Sequence, residues 1–220
     1  MLTRFSLKLP SSSGAGLDPR YVLPKTLEDG MTDRIVEADP ADSPLVYQRE
    51  LLALLGDRSL IDVLAETPAR MQTLIENLTD DDLHRRPAPE EWSIAEQIGH
   101  LWDDELLYGF RARAILAEDE PHLIGTNQDR WNALPKPPLP ELLTAYRALR
   151  AAHLALLRGT PEADWERVGI HQERGRTSFR LLWATVAGHD LAHLRQLQQT
   201  IDALHGAAGS TTVSVMISSE

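Results

Sequence analysis

Apolar residues recur at helical spacing in four separate stretches of this chain, and that pattern decides what it can fold into. The first stretch covers about residues 59–78, with Leu60, Val63, Leu64, Met71, Leu74, Ile75 and Leu78 on one stripe. Pro68 lies inside it and lacks a backbone N–H, so a kink or a split into two helices is expected. The second covers about residues 94–117. Ser93 and Glu96 precede and open it as a capping box, each side chain able to satisfy a backbone N–H at the helix start. Ile94, Ile98, Leu101, Tyr108, Ala112 and Ile115 share its face. The third, about residues 141–158, carries Leu142, Tyr146, Leu149, His153 and Leu156 on one side, and Gly159 follows as a C-cap. The fourth, about residues 179–204, starts after Ser178 or Thr177 as N-cap and buries Val186, Leu194, Leu197, Ile201 and Leu204. Four amphipathic helices with little strand signal predict an all-α fold, a four-helix bundle with long connecting loops. The connections at about residues 79–93 and 118–140 are long enough for a crossover topology, and loops of that length often carry function.

The bundle is expected over residues 46–205. Residues 1–45 are rich in Pro, Gly, Ser and Asp without a sustained period, and are read as a flexible extension. Arg4, Lys8 and three serines from Ser11 to Ser13, with no acid before Asp18, faintly resemble an organelle transit peptide, but there is no secretory apolar segment. Met31 is an alternative start. Residues 206–220 form a second tail, in which Val213, Val215 and Ile217 alternate as a short strand would.

Charge narrows the partners. Lys plus Arg number 22 against 33 Asp plus Glu, a formal charge of -11. Such a chain is a poor match for phosphate backbones or anionic membrane surfaces, so neither nucleic acid nor membrane is expected as a partner. The absence of cysteine excludes disulfides, thiolate metal sites and a cysteine nucleophile. No apolar run approaches the ~18 residues of a membrane span. Cytoplasm is the default location, a small molecule the expected partner, and a homodimer remains open.

Chemistry concentrates in the histidines. His189 and His193 stand four apart in Gly188-His189-Asp190-Leu191-Ala192-His193-Leu194, so both lie on one helix face. His100 lies on the second helix, at the flank of its apolar face. Facing helices of a bundle collect metal ligands in this way, and three neutral imidazoles would leave coordination positions open. The alternative is that these are hydrogen-bonded core histidines. His153 is a candidate fourth ligand or supporting group, and His171 could reach a pocket mouth; His84, His122 and His205 are expected to face solvent.

Carboxylates come next. Asp104 is one turn beyond His100, and Glu105 falls near the middle of the same apolar face. A buried carboxylate needs a partner. Each could orient a ligand imidazole, act as a general base, or form a salt bridge, Asp104 with Arg111 or Arg113 and Glu105 with a base on a facing helix. Asp190 is a similar candidate.

These residues also carry a family resemblance. Glu91-Trp92-Ser93-Ile94-Ala95-Glu96-Gln97-Ile98-Gly99-His100-Leu101, with its lead-in from Pro89, resembles the second-helix signature of the DinB-like family. The stretch from Gly188 through Arg195-Gln196-Leu197 resembles its fourth-helix signature. Asn127-Gln128-Asp129-Arg130-Trp131 is similar to the loop between the second and third helices, with Asn127 where relatives often carry Asp, and His171-Gln172-Glu173-Arg174-Gly175 to the loop before the fourth. The match spans about residues 51–204. It implies a four-helix bundle with one divalent metal on His100, His189 and His193. Relatives include bacillithiol transferases and mycothiol-dependent maleylpyruvate isomerase, which implies a metal-dependent transferase moving a low-molecular-weight thiol to an electrophile.

Glu105, Asp104 and Asp129 are the candidate catalytic groups, and Trp131 with Asp129 would shape the mouth. Imidazole suits Zn, Ni, Fe and Cu alike, so the ion stays open. Metal-dependent hydrolysis and a non-catalytic metal- or ligand-binding stress-response module are the alternatives. A zinc-peptidase reading of His189-Asp190-Leu191-Ala192-His193 suffers from Asp where H-E-x-x-H has Glu. Metal affinity is expected to fall as the pH drops through ~6.5, where imidazole protonates.

Overall fold

The computed structural model describes residues 43–209. The four expected helices are present as α2 (Leu60–Ile75), α4 (Ile94–Ala117), α6 (Leu139–Gly159) and α7 (Phe179–Gly209). A shorter α1 (Pro44–Leu55) precedes them, and α3 (Asp80–His84) and α5 (Gln128–Asn132) lie in the connections. α2 packs on α6 and α7, and α4 packs on the same two helices. α2 and α4 therefore stand across the bundle from each other, and their connection crosses over. The capping box at α4 forms as its sequence predicts: Ser93 Oγ accepts from Glu96 N, and Ser93 N donates to Glu96 Oε2 at 2.8 Å. Ser178 Oγ accepts from Leu181 N at the start of α7.

The core has two apolar halves with a polar belt between them. One half gathers Leu64, Ala112, Ile115, Leu157, Phe179, Trp183 and their neighbours. The other gathers Met71, Ile94, Ile98, Tyr146, Leu197 and theirs. On every bundle helix the apolar stripe is broken between the two: at Thr67, at His100 and Asp103 to Glu105, at Arg150 and His153, and at His189, Asp190 and His193, all buried except Asp104, which is half-buried. Burying this many polar groups is costly unless they satisfy one another.

Three features depart from the sequence reading. First, α1 was not expected. Its signals are Pro44 at the first helical turn, where the missing N–H costs nothing, and the buried Leu51, Leu54 and Leu55. It begins just inside the boundary drawn for the N-terminal extension, whose remainder lies outside the described residues, as do Val213, Val215 and Ile217. Second, α2 runs through Pro68 unbroken. Proline deprives the carbonyl four residues earlier of its donor; that carbonyl, Leu64 O, accepts from Arg150 Nη1 at 3.0 Å instead. Third, a small sheet forms: β1 (His122–Leu123) pairs parallel with β2 (Val168–His171), which pairs antiparallel with β3 (Gly175–Ser178). Strands of two to four residues leave too short an alternation to detect. The tail predicted from residue 206 is partly helical, since α7 continues to Gly209.

α1 lies directly against α7 at Gly188. A Cβ there would stand 2.1 Å from Leu51 O, a backbone atom that cannot turn aside. Gly188→Ala is therefore expected to cost about 1–3 kcal/mol, as overpacking does, read as a lower urea midpoint with unchanged slope.

Candidate metal centre

His100 from α4 and His189 and His193 from α7 meet inside the belt. Their Nε2 atoms face one another, 3.4 Å from His100 to His189 and 3.0 Å from His189 to His193. One ring nitrogen from each lies within 4.8 Å of the other two. All three side chains are buried. Helical spacing sets His193 one turn from His189, with ring centroids 4.3 Å apart, while the α4–α7 contact brings His100 to within 4.9 Å of His193. Trp92 stands 5.1 Å from the His100 ring and Tyr47, on α1, 6.5 Å from His189. Asp104 Oδ2 completes the cluster, 3.6 Å from His100 Nε2 and 3.5 Å from His189 Nε2.

Burial pushes the His189 and His193 pKa values well below the ordinary imidazole value, with His193 and His100 respectively adding to the effect. Burial likewise pushes Asp104 up, against the pull of His100 and Arg111. Neutral imidazoles aimed at one another present converging lone pairs, and at most one N–H can lie between any two. A cation resolves that conflict. Tetrahedral ligation at 2.0–2.1 Å sets nitrogens roughly 3.3 Å apart, close to the two distances seen. The donor set therefore fits one divalent ion.

Behind the triad lies a buried ionic network. Arg150 uses all five N–H groups: Nε and Nη2 donate to Glu105 at 2.9 and 2.8 Å, Nη1 and Nη2 to Asp190 at 2.5 and 3.2 Å, and Nη1 also to Leu64 O. His153 Nδ1 donates to Glu105 Oε1 at 2.7 Å. Its Nε2–Cε1 edge comes up against Gly109, where a Cβ would meet Nε2 at 2.1 Å. Burial pushes Glu105 up, but the bonds from His153 and Arg150 hold its carboxyl below the usual range. Arg150 thus joins α2, α4, α6 and α7, and one of its anchors, Asp190, directly follows His189.

The candidate residues separate accordingly. His100, His189, His193 and Asp104 come together. Glu105 takes the salt-bridge alternative: Oε1 accepts from Arg150 and His153, and Oε2 from Arg150. His153 serves Glu105 rather than standing among the triad. Asp129 is exposed on α5. Asn127 caps that helix, its Oδ1 accepting from Arg130 N at 2.9 Å. Lys136 holds the α5 segment against α4, donating to Asp103 Oδ2 at 2.7 Å and Trp131 O at 3.0 Å. Neither Arg111 nor Arg113 pairs with Asp104 within 4.0 Å. Sequence reasoning missed Arg150 and Tyr47; a lone arginine on the inner face of α6 was the available signal for the first.

A profile of the DinB superfamily matches residues 64–197, which contain all three histidines. The chain belongs to the DinB superfamily. A Bacillus pumilus protein named "Putative metal-dependent hydrolase" is 28% identical over 145 residues, covering 62% of this chain and 82% of that protein. YfiT of Bacillus subtilis, with the same form of name, is 23% identical over 147 residues, covering 63% and 82%. The solved structure of YfiT, described as a probable metal-dependent hydrolase with an unusual four-helix bundle topology, superposes with a TM-score of 0.62 at 20% identity, covering 67% of this chain and 86% of that one. The fold is thus shared. No helix among the described residues is long and apolar enough to cross a membrane.

Proposed function

We propose that His100, His189 and His193 hold one divalent metal ion and that the protein is a metal-dependent hydrolase of small molecules. The convergence of three buried Nε2 atoms beside the Asp104 carboxylate carries this reading. The names of the relatives support it. When bound, such an ion supplies Lewis acidity and lowers the pKa of the nucleophile it contacts. Asp104 Oδ2 stands where it can take the proton of a water entering between His100 and His189, and its raised pKa makes it a better base than an exposed aspartate. Burial keeps His189 and His193 neutral, so they stay competent as ligands near neutral pH. Trp92 and Tyr47 wall the imidazoles on their outer sides and limit water.

A second nucleophile deserves the same assay. The chain has no cysteine, so a thiol would have to arrive as a low-molecular-weight cosubstrate, as in the transferases that the sequence resembles. Metal analysis of untagged protein is expected to find about one ion per chain. His100→Ala, His189→Ala and His193→Ala should each weaken binding by more than the ~10–100-fold that partners of ligands cost, while the exposed His84→Ala leaves it unchanged. Esters, amides and electrophiles screened with and without thiol should show turnover that a chelator abolishes and metal restores. Full metal occupancy in all three variants would sink the site; identical behaviour of chelated and loaded protein would sink the catalysis.

A further inference from the structure

A second cluster beside the triad has the opposite imbalance, too many donors for its acceptors. Arg111 is buried on α4 and Arg174 is half-buried in the turn between β2 and β3. Among the described residues neither guanidinium has a carboxylate within 4.0 Å. Arg111 spends Nε and Nη2 on the single carbonyl of Ile124 and lies 5.2 Å over the Tyr108 ring. Arg174 Nε is buried without any partner.

His171 sharpens the conflict. Its buried ring faces N–H groups at both nitrogens: the backbone N–H of Glu173 and Arg174 approach Nδ1 at 3.2 and 3.3 Å, and Arg174 Nη2 approaches Nε2 at 2.9 Å. A neutral imidazole has one acceptor nitrogen. Whichever tautomer is present, one N–H of His171 points at another donor. Burial, with Arg174 and Arg111, pushes its pKa down to about 3, so the ring is neutral; a second proton would only add a donor. An acceptor rich in lone pairs relieves it.

The cluster shares a face with the triad. On α4, positions 100, 104, 108 and 111 follow helical spacing, so His100, Asp104, Tyr108 and Arg111 form one stripe. Arg111 starts about 10 Å along that stripe from Asp104, and helical side chains lean back towards the N-terminus, here towards Asp104. The positive charge of Arg174 acts on both His189 and Asp104, and that of Arg111 on Asp104. Asp104 itself does not fill the site, since Arg174 Nε stays unpartnered with it present.

We propose that Arg111, Arg174 and His171 form a binding site for an oxyanion, a carboxylate or a phosphate, and that the substrate turned over at the triad carries such a group at its far end. The second half rests on the reading of the triad as a catalytic metal centre; the first half does not. Guanidinium groups hold either oxyanion with two charge-assisted bonds. The geometry asks for a compact anionic small molecule.

The test uses the full chain, as purified and after chelation, with metal content measured in parallel. Inorganic phosphate and acetate are the two probes, each at about 10 mM and at constant ionic strength. One or both should raise the melting temperature by about 3 °C. Arg174→Gln and Arg111→Gln should abolish that shift without lowering metal content, and the exposed Arg158→Gln should retain it. If Arg111→Gln does not fold, the half-buried Arg174 decides. A phosphate-only response assigns a phosphate group, and an acetate-only response assigns a carboxylate. No shift with either probe, or an equal shift in Arg174→Gln, overturns the site. A shift that depends on Arg174 in protein that never takes up metal leaves the anion site standing and removes the metal centre instead.

Discussion

Arg150→Met is expected to cost about 3–5 kcal/mol of stability, the largest loss of any single substitution in the belt. Methionine keeps the aliphatic stem and lacks the guanidinium. The loss comes from what is left behind. Glu105 and Asp190 would face each other across a dry interior with His153 alone to serve them, and Leu64 O would lose the donor that replaces the N–H missing from Pro68. For a chain of this size the melting temperature should fall by roughly 6–20 °C. Adding Glu105→Gln and Asp190→Asn to the same protein should recover part of it, because the uncompensated charges go with them. Urea unfolding of the single and triple variants checks both statements. A single-variant cost under about 1 kcal/mol would mean that the network does not hold the four helices as described.

That network also shows where sequence reading stops. The triad was legible because two ligands lie on one helix at a spacing that helical geometry alone places together, and the third sits on another apolar face. Glu105 was visible as a carboxylate in an apolar stripe, but its partner, forty-five positions away on α6, was not. A periodic pattern says which face is buried and not which residues of facing helices meet there. Pro68 was read as a kink or a split because the rule about proline is local, while its remedy, Arg150, comes from another helix. α1 was overlooked because its apolar run is short and adjoins a stretch without period. The donor cluster was only partly visible: Arg111 was read as a partner for Asp104 and His171 as able to reach a pocket mouth, but strands too short to announce themselves hid the turn that brings Arg174 to them.

Metal-free protein is expected to lose stability steeply as the pH falls below ~6.5, and the triad should be the reason. Burial first, then the neighbouring imidazoles, hold His189 and His193 well below the ordinary pKa. In the unfolded chain both protonate as the pH drops through ~6.5; in the folded chain they remain neutral until far lower. The unfolded state therefore binds more protons across that window, and each group removes about 1.4 kcal/mol of stability per pH unit. Other titratable and charged groups face them: His100 and Asp104 from α4, Arg150 from α6 and Arg174 from the β2–β3 turn. Asp104 and Asp190, whose carboxyls burial pushes up, work in the opposite direction. The contribution of the two imidazoles is isolated by comparing the native chain with a His189→Gln, His193→Gln double variant under chelator. Between pH 6 and pH 5 the native chain should lose about 2.4 kcal/mol more than the variant, since the unfolded imidazoles are not yet fully protonated at pH 6. Equal slopes would show that these imidazoles are protonated in the fold. The same shift revises what the sequence suggests for metal uptake. At His189 and His193 protons compete with the ion only well below ~6.5, so these two ligands should hold metal with undiminished affinity at a pH where free histidine has already lost it.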